Sequence, residues 1–276
     1  MYRLVGASEE IRLIFRPWAT DPLGVITLFG GATVLLFALS LAYWLGDRRR
    51  IATVVSYAFV ALSVVLILKT AIGLPRPPES VRLVAYADDP YGFPSGHAVA
   101  AVVVYGGLAT VYDRLDRRTL AVVGVVVALI GLSRVVIGVH YLGDVLAGTA
   151  LGIVLLAALR RIVGRSPLRG FTVAAGCAAV AFAIEAPEAT LALGGSLGGV
   201  AGSLILGELP PAQPITVRLT AAVVGVPIVF GIDQAVELSG TVPVAVLGNA
   251  GLVAVILAIP LGIGRLPFGS PVDASA

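Results

Sequence analysis

The stretch that decides the fold and the chemistry runs from Lys69 to Asp144 and contains three short clusters. They read Lys69-Thr-Ala-Ile-Gly-Leu-Pro-Arg76-Pro77, Pro94-Ser95-Gly96-His97, and Ser133-Arg134-Val-Val-Ile-Gly-Val-His140-Tyr-Leu-Gly-Asp144. The only lysine and both histidines of the 276-residue chain lie in this window. Lysine and arginine bind phosphate groups, and histidine exchanges protons near neutral pH. The window therefore predicts an active site for a phosphate ester.

The composition around this window predicts a membrane protein. Hydrophobic residues make up 58% of the chain and charged residues 13%, with a mean hydropathy of +1.00. Soluble domains carry about a quarter charged residues, so this chain has too little polar surface to cover a globule. We expect an all-α fold, a polytopic transmembrane helical bundle with about nine spans, each near the ~20 residues that a bilayer needs. The predicted spans are 23–45, 51–72, 97–112, 120–138, 141–160, 171–185, 189–207, 217–236 and 243–263.

Breaks in the apolar pattern divide the chain into three predicted segments. Residues 1–22 form an interfacial N-terminal segment, because apolar residues at spacings of three and four recur on one face of a short helix. Residues 23–165 form a core with about five spans that contains the three clusters. Residues 166–276 form an additional membrane module with about four spans, after a connector with helix-breaking residues. Residues 1–22 have no apolar run, so we expect no cleavable signal peptide.

The charges between the spans predict the orientation. Arginines lie at alternate connectors, at 48–50, 114–118, 160–169, 218 and 265, whereas the other connectors carry acidic residues. The positive-inside rule places the arginine-rich side in the cytoplasm, so the three clusters face outward. We expect a multi-pass protein of the cell membrane with its active site on the outer face and its amino terminus outside. The arginines near that terminus run against the rule.

The first two clusters have the groups that bind an anion. Lys69 falls near the outer end of the second predicted span, and Arg76 lies between two prolines that restrict the backbone. Ser95 can cap the helix that follows, and Gly96 lets its backbone approach a ligand. A helix amino end presents free N–H groups and a positive partial charge, which suits an anion. His97 would lie in the first turn of that helix.

The third cluster has a histidine and a carboxylate four residues apart. His140 and Asp144 would share one helix face, where the carboxylate can accept a hydrogen bond from one imidazole nitrogen. That bond would fix the tautomer and leave the other nitrogen as a nucleophile. Arg134 would lie at the same outer surface. Charged groups within apolar segments are costly and are functional by default.

Other interpretations of these residues stay open. Lys69 could extend to the membrane interface, and Ser95 with His97 could be a helix cap followed by an interfacial histidine. Arg134 and Asp144 could form an ion pair between helices, although that would leave His140 without a role. A divalent metal at His97, His140 and Asp144 is disfavoured, because the neighbouring cations would repel it and attract an anion. We therefore expect no metal and no cofactor.

The spacing of the clusters resembles a known family. Lys-x6-Arg-Pro, Pro-Ser-Gly-His and Ser-Arg-x5-His-x3-Asp, in this order, are similar to the three signature motifs of the type-2 phosphatidic acid phosphatase superfamily. The resemblance covers about residues 51–160 and matches every signature position. It implies an all-helical core with the site at the outer membrane face, and it makes 23–165 a phosphatase core.

The resemblance also implies roles for the residues. His140 would attack phosphorus and form a phosphohistidine, Asp144 would orient and stabilise His140, and His97 would protonate the leaving oxygen. The residues that would hold the phosphoryl oxygens are Lys69, Arg76, Ser95, Gly96 and Arg134. The mechanism would need no metal, and cations facing the phosphoryl group would supply most of the catalysis.

The expected function is hydrolysis of a lipid phosphate or diphosphate, such as phosphatidate, phosphatidylglycerol phosphate or polyprenyl diphosphate. The alternatives are a membrane protein that binds or transports a lipid phosphate, and a phosphotransferase that uses the same site. The expected partners are that substrate and membrane lipids, without nucleic acid. Residues 171–276 would serve packing, lipid selection or a homo-oligomer through the glycine-rich 189–207 helix. In that half, Asp233 is the candidate functional residue.

Overall fold

The chain folds entirely into helices over the residues that the structure describes. This computed structural model describes residues 3–84, 89–206 and 214–264. Two short 3-10 helices, Thr27–Gly30 and Glu79–Val81, accompany ten α-helices. The α-helices are α1 Val5–Ile26, α2 Ala32–Leu45, α3 Arg48–Ile72, α4 Gly96–Val111, α5 Arg117–Val136, α6 Leu142–Ile162, α7 Pro167–Ala183, α8 Ala189–Leu206, α9 Ile215–Ser239 and α10 Val242–Gly264. The predicted all-α class is confirmed.

The number of spans is the point where the structure departs from the sequence prediction. Five of the described helices are long and apolar enough to cross a membrane: α3, α5, α6, α9 and α10. The count rises to six if the bent pair formed by α1 and α2 makes one span. Helices α4, α7 and α8 are apolar but shorter in their described parts. Nine full spans are therefore not confirmed, because a run of apolar residues does not reveal where its helix begins and ends.

The first predicted span, 23–45, is not one straight helix. Helix α1 runs through the predicted boundary at residue 22, and the chain then bends by 60° before α2. Gly30 and Gly31 lie at the bend, against the start of α4. A Cβ on Gly30 would come 2.7 Å from Ile130 Cγ2 and 3.1 Å from His97 Cδ2, so a larger residue would push this turn away from α4. The bend thus brings the first helix pair against the second cluster.

Helix α3 is the centre of the bundle, and 72% of its most apolar 18-residue stretch is buried. It packs against α2, α4, α7 and α8. One continuous cluster of buried side chains joins these helices to α9 and α10, and it includes Trp44, Val54, Phe171 and Leu252. The Trp44 Nε1–H donates to the Ile256 carbonyl at 2.9 Å. Buried side chains from both sides of the predicted boundary after residue 165 therefore pack in one core. A separate module for 166–276 stays a prediction.

Helix ends and loops gather the three clusters at one end of the bundle. Helix α3 ends at Ile72, and Gly73 follows in a left-handed backbone conformation (φ 66°) that suits glycine. The Gly73 N–H donates to the Lys69 carbonyl at 2.9 Å. The starts of α4 and α6 are joined by a hydrogen bond from Ser95 N to the Asp144 carbonyl at 3.0 Å. The arginine-rich residues 48–50, 117–118 and 160–161 lie at the opposite ends of α3, α5 and α6.

Glycines let α8 pack closely against its neighbours, as its sequence predicts. A Cβ on Gly194 would lie 2.8 Å from Asn249 Cβ of α10, and one on Gly198 would lie 2.9 Å from Ala250 Cα. Gly195 and Gly199 face the aromatic rings of Phe59 and Phe171. These glycines are used for contacts within the chain, and a homo-oligomer stays a prediction.

Gly198→Ala should lower the thermal unfolding temperature of the detergent-purified protein. The added methyl group would meet the α10 backbone, and overpacking of this kind costs about 1–3 kcal/mol. Gly176→Ala is the matched control, because a Cβ there meets nothing within 4 Å. Equal melting temperatures for Gly198→Ala and the wild type would show that α8 and α10 do not pack as described.

Candidate active site

The loop after α3 is tied back onto itself and brings the first two clusters together. Arg76 N donates to the Pro90 carbonyl at 3.2 Å, and Gly92 N donates to the Leu74 carbonyl at 2.7 Å. A backbone bridge between Pro75 and Tyr91 lies between these bonds. The loop therefore holds Arg76 next to the residues that lead into α4.

His140 is fully enclosed, and its two ring nitrogens face different partners. Nδ1 lies 2.7 Å from the Gly92 carbonyl oxygen, and Nε2 lies 3.2 Å from Arg76 Nη1. A carbonyl can only accept, so Nδ1 carries the proton and Nε2 presents its lone pair. Burial lowers the pKa of His140 to about 3, although the nearby Asp144 carboxylate acts in the opposite direction. The imidazole is therefore neutral over the working range of most enzymes.

Asp144 stands behind this histidine, but its strongest contacts are with another residue. Asp144 Oδ2 lies 3.6 Å from His140 Nδ1, beyond an ordinary hydrogen bond. Arg3 donates to Asp144 twice, from Nε to Oδ1 at 2.7 Å and from Nη2 to Oδ2 at 2.8 Å. The predicted direct hydrogen bond from His140 is thus replaced by one to the Gly92 carbonyl, with Asp144 close by.

Arg3 is a residue of this site that the sequence motifs missed. It lies 141 residues from Asp144, so no local spacing reveals the pair. One signal was present: the predicted outer location of the N-terminal arginines contradicts the positive-inside rule. An arginine on the wrong side of that rule is expected to have a specific partner, and Arg3 has one.

Lys69 and Arg76 share a carboxylate in the structure. The ammonium group of Lys69 forms a buried ion pair with Asp89, and Arg76 Nη2 donates to Asp89 Oδ2 at 2.6 Å. Arg76 Nε also donates to the Asp89 carbonyl at 2.7 Å. Burial by itself raises the pKa of Asp89, but Lys69 and Arg76 outweigh it and hold that pKa below its usual value. An ionised carboxylate therefore lies between the two cations predicted to bind phosphate.

The amino end of α4 completes the surroundings of His140. Ser95 is the N-cap of α4 but makes no side-chain cap bond, contrary to the expected capping role. Its hydroxyl is buried and has no hydrogen-bond partner in the described part of the chain, so it can serve a ligand. His97 is half-buried in the first turn of α4, within electrostatic range of His140. Arg134 donates from Nη1 to Thr27 Oγ1 at 2.7 Å, and its positive charge lies within electrostatic range of His97.

The structure thus places all the predicted site residues at one end of the bundle. Lys69, Arg76, His140 and Asp144 are joined by a contact network through Asp89 and Arg3, and the start of α4 and Arg134 adjoin it. Among the described residues, no group of three His, Cys, Asp or Glu side chains could hold a metal ion. Asp233 lies elsewhere, half-buried in α9 near Glu237. Arg265, one of the predicted connector arginines, lies outside the described residues.

Comparisons with known proteins identify the family of this chain. The profile of the PAP2 superfamily matches residues 50–167, which contain every predicted site residue. Decaprenylphosphoryl-5-phosphoribose phosphatase of Mycobacterium tuberculosis is 33% identical over 153 residues, which are 54% of this chain and 82% of that protein. The chain belongs to the PAP2 superfamily. Its relatives in this superfamily are named as phosphatases, which are phosphoric ester hydrolases.

Other PAP2 relatives cover less of the chain or are less similar. Phosphatidylglycerophosphatase B of Bacillus subtilis is 36% identical over 72 residues, but the match spans 24% of this chain and only 36% of that protein. Lipid A 1-phosphatase of Rhizobium etli is 29% identical over 54% of this chain and 71% of that protein. The crystal structure of the first transmembrane PAP2 type phosphatidylglycerolphosphate phosphatase from Bacillus subtilis aligns with a TM-score of 0.50 and 26% identity, covering 58% of this chain and 83% of that one. With its apolar helices, this chain is likewise a membrane protein.

Asp89→Asn should strengthen inhibition of phosphate release by vanadate, an oxyanion of the same charge type as phosphate. Asp89 competes with such an anion for Lys69 and Arg76, and hydrogen bonds to charged groups contribute about 1.5–3 kcal/mol, so a fall in Ki of about tenfold is expected. Glu79→Gln removes the same charge from an exposed position in the same loop and is the control. Weaker inhibition in Asp89→Asn would mean that Asp89 orients the cations instead of competing for them.

Proposed function

We propose that this protein is an integral membrane phosphatase that hydrolyses a lipid phosphate or diphosphate through a phosphohistidine, without a metal, at the outer face of the cell membrane. The observation that supports this most strongly is the environment of His140. Its Nδ1 is held by the Gly92 carbonyl, and its Nε2 lone pair faces the Arg76 guanidinium. A neutral imidazole with one fixed nitrogen and one nitrogen beside a cation is arranged to attack an anionic phosphoryl group.

The proposed reaction has two steps. In the first, a bond forms between His140 Nε2 and phosphorus, the bond to the leaving oxygen breaks, and His97, which enters the step in its protonated form, gives that oxygen a proton. The positive charge that develops on the imidazole is balanced by Asp144, 3.6 Å from Nδ1. In the second, a water molecule attacks phosphorus, His97 takes its proton, and the bond to Nε2 breaks. His140 thereby returns to its neutral form.

The phosphoryl group would be held by groups from three elements. Lys69 and Arg76 would exchange Asp89 for phosphoryl oxygens, and the buried Ser95 hydroxyl and the Gly96 amide would donate from the amino end of α4. Arg134 would add a third cation. Such preorganised donors stabilise the charge that builds up on the transferring group, which is the main contribution to catalysis of phosphoryl transfer.

A lipid phosphate monoester or diphosphate is the substrate class that fits this position best. The site lies at the end of an apolar bundle, where a head group can enter while its tail stays in the bilayer. Large apolar side chains such as Leu13 and Trp18 of α1, the helix that follows Arg3, are exposed at 76% and 67% of their surface. The PAP2 relatives named above are phosphatases of phosphatidylglycerophosphate, lipid A and decaprenylphosphoryl-phosphoribose, which are all phosphorylated lipids.

His140→Ala should abolish turnover, whereas His97→Ala should retain slow turnover on esters with good leaving groups. The first substitution removes the nucleophile, while the second removes an acid that a weakly basic leaving oxygen does not need. The measurement is phosphate release by both variants from a lipid phosphate and from a nitrophenyl phosphate. Turnover in His140→Ala at the wild-type rate would rule out its role as the nucleophile.

A phosphate-release screen over a panel of lipid phosphates, in the presence of EDTA, tests the function itself. We expect release from phosphatidate, phosphatidylglycerol phosphate or a polyprenyl diphosphate by the purified full chain without added metal. Loss of activity in EDTA that one divalent ion restores would overturn the metal-free mechanism. Binding of these lipids without any release would favour the binding or transport alternative.

A further inference from the structure

We propose that Arg3 is a positioning residue of the active site, which holds the Asp144 carboxylate in place behind His140. This inference rests on the proposed function and extends it to a segment outside the region that matches the PAP2 superfamily, residues 50–167. The few residues before α1 would then be part of the catalytic apparatus, in addition to the three sequence motifs.

Hydrogen bonds hold the Arg3 side chain in a single orientation. Nε and Nη2 form the two parallel hydrogen bonds to Asp144, and Nη1 donates to the Pro75 carbonyl at 2.7 Å. The guanidinium carbon also lies 4.6 Å from the centre of the Tyr141 ring. A planar fork that matches a carboxylate in this way fixes both position and rotation, which a lysine ammonium group cannot do.

Asp144 needs such a partner because it is completely enclosed, with 0% of its surface exposed. Its remaining contacts are the Tyr141 N–H, which donates to Oδ2 at 2.9 Å, and the more distant His140 ring. An enclosed carboxylate without a cation is destabilised by several kcal/mol, and it responds by moving or by taking up a proton. Either response would remove the negative charge that balances His140 during phosphoryl transfer.

The backbone around Arg3 is anchored to the same turn of α6. Gly143 N donates to the Arg3 carbonyl at 3.0 Å, and Leu142 N donates to the Ser8 hydroxyl at 2.8 Å. Two N–H groups in the first turn of α6 therefore find their acceptors in the N-terminal segment, in addition to the cap formed by Tyr141 and Asp144. Arg3 is held against α6 by its main chain as well as its side chain.

A role in docking α1 alone would not distinguish Arg3 from an arginine within that helix. Arg16 provides the comparison, because its side chain donates to the Val136 and Val81 carbonyls and does not contact Asp144. If Arg3 acts only by docking the helix, loss of Arg16 should be equally harmful. If Arg3 positions Asp144, only its own loss should slow the chemical step.

The test compares Arg3→Ala, Arg3→Lys and Arg16→Ala in the full chain, with kcat and KM for a lipid phosphate and the thermal unfolding temperature of each. We expect kcat of Arg3→Ala to fall about 10–100-fold, the usual effect of losing a group that orients a reacting side chain's partner, with KM little changed. Arg3→Lys keeps the charge without the fork and should recover only part of the rate. Low concentrations of guanidinium ion should raise kcat of Arg3→Ala but not of Arg16→Ala.

A double variant separates positioning from a general structural effect. Once Asp144→Asn has removed the carboxylate, the further change Arg3→Ala should have little additional effect on kcat, because the two side chains act as one unit. Full additivity, or a kcat in Arg3→Ala and Arg3→Lys equal to that of Arg16→Ala, would overturn the role of Arg3 while leaving the proposed function intact. A wild-type chain that releases phosphate from no ester would overturn both.

Discussion

The charged side chains that meet at the end of this apolar bundle are removed from water and must be paired, and the site depends on that constraint. Asp144 is paired with Arg3, and Asp89 is paired with both Lys69 and Arg76. An unpaired buried charge costs several kcal/mol, so each pairing fixes the position of the loop or helix end that provides it. His140 is neutral among these charges, and it lies between the two pairs.

The proposed chemistry follows from how these pairs can be exchanged. A phosphoryl group has the same charge type as the Asp89 carboxylate and offers more oxygens, so it can replace that carboxylate between Lys69 and Arg76. The ion pair of Asp144 and Arg3 lies on the other side of the imidazole, and the proposed reaction does not displace it. One pair would thus yield to the substrate while the other keeps His140 oriented, which separates binding from positioning within one small network.

The three motifs in the sequence were enough to predict which residues of the core meet, since histidine, lysine and paired charges are rare in an apolar chain and each has a specific chemical use. Features that depend on contacts distant in sequence were not predictable. Arg3 and Asp144 are 141 residues apart, and the acceptor for His140 is the backbone carbonyl of Gly92, which no side-chain motif reveals. Asp89 belongs to none of the motifs, and its place between the two cations is visible only in the folded loop.

The helices were likewise predictable where the signal is local in sequence, and not where it depends on distant contacts. Apolar runs located most of them, and glycine at short spacing predicted the close packing of α8. The bend at Gly30 and Gly31 was not predicted, because it depends on the fit of this turn against His97 and Ile130. The predicted number of spans is not confirmed for a related reason, since the length of an apolar run does not show that a described helix such as α4 has only 16 residues.

The most direct test of the account is to locate the phosphate during turnover. The purified protein is mixed with a phosphorylated lipid, quenched in alkali to preserve phosphohistidine, and analysed by peptide mass spectrometry, with NMR to identify the substituted nitrogen. The account predicts phosphate on Nε2 of His140, because Nδ1 is occupied by its hydrogen bond to the Gly92 carbonyl. Phosphate on His97, on Nδ1 of His140, or on no side chain during active turnover would contradict it.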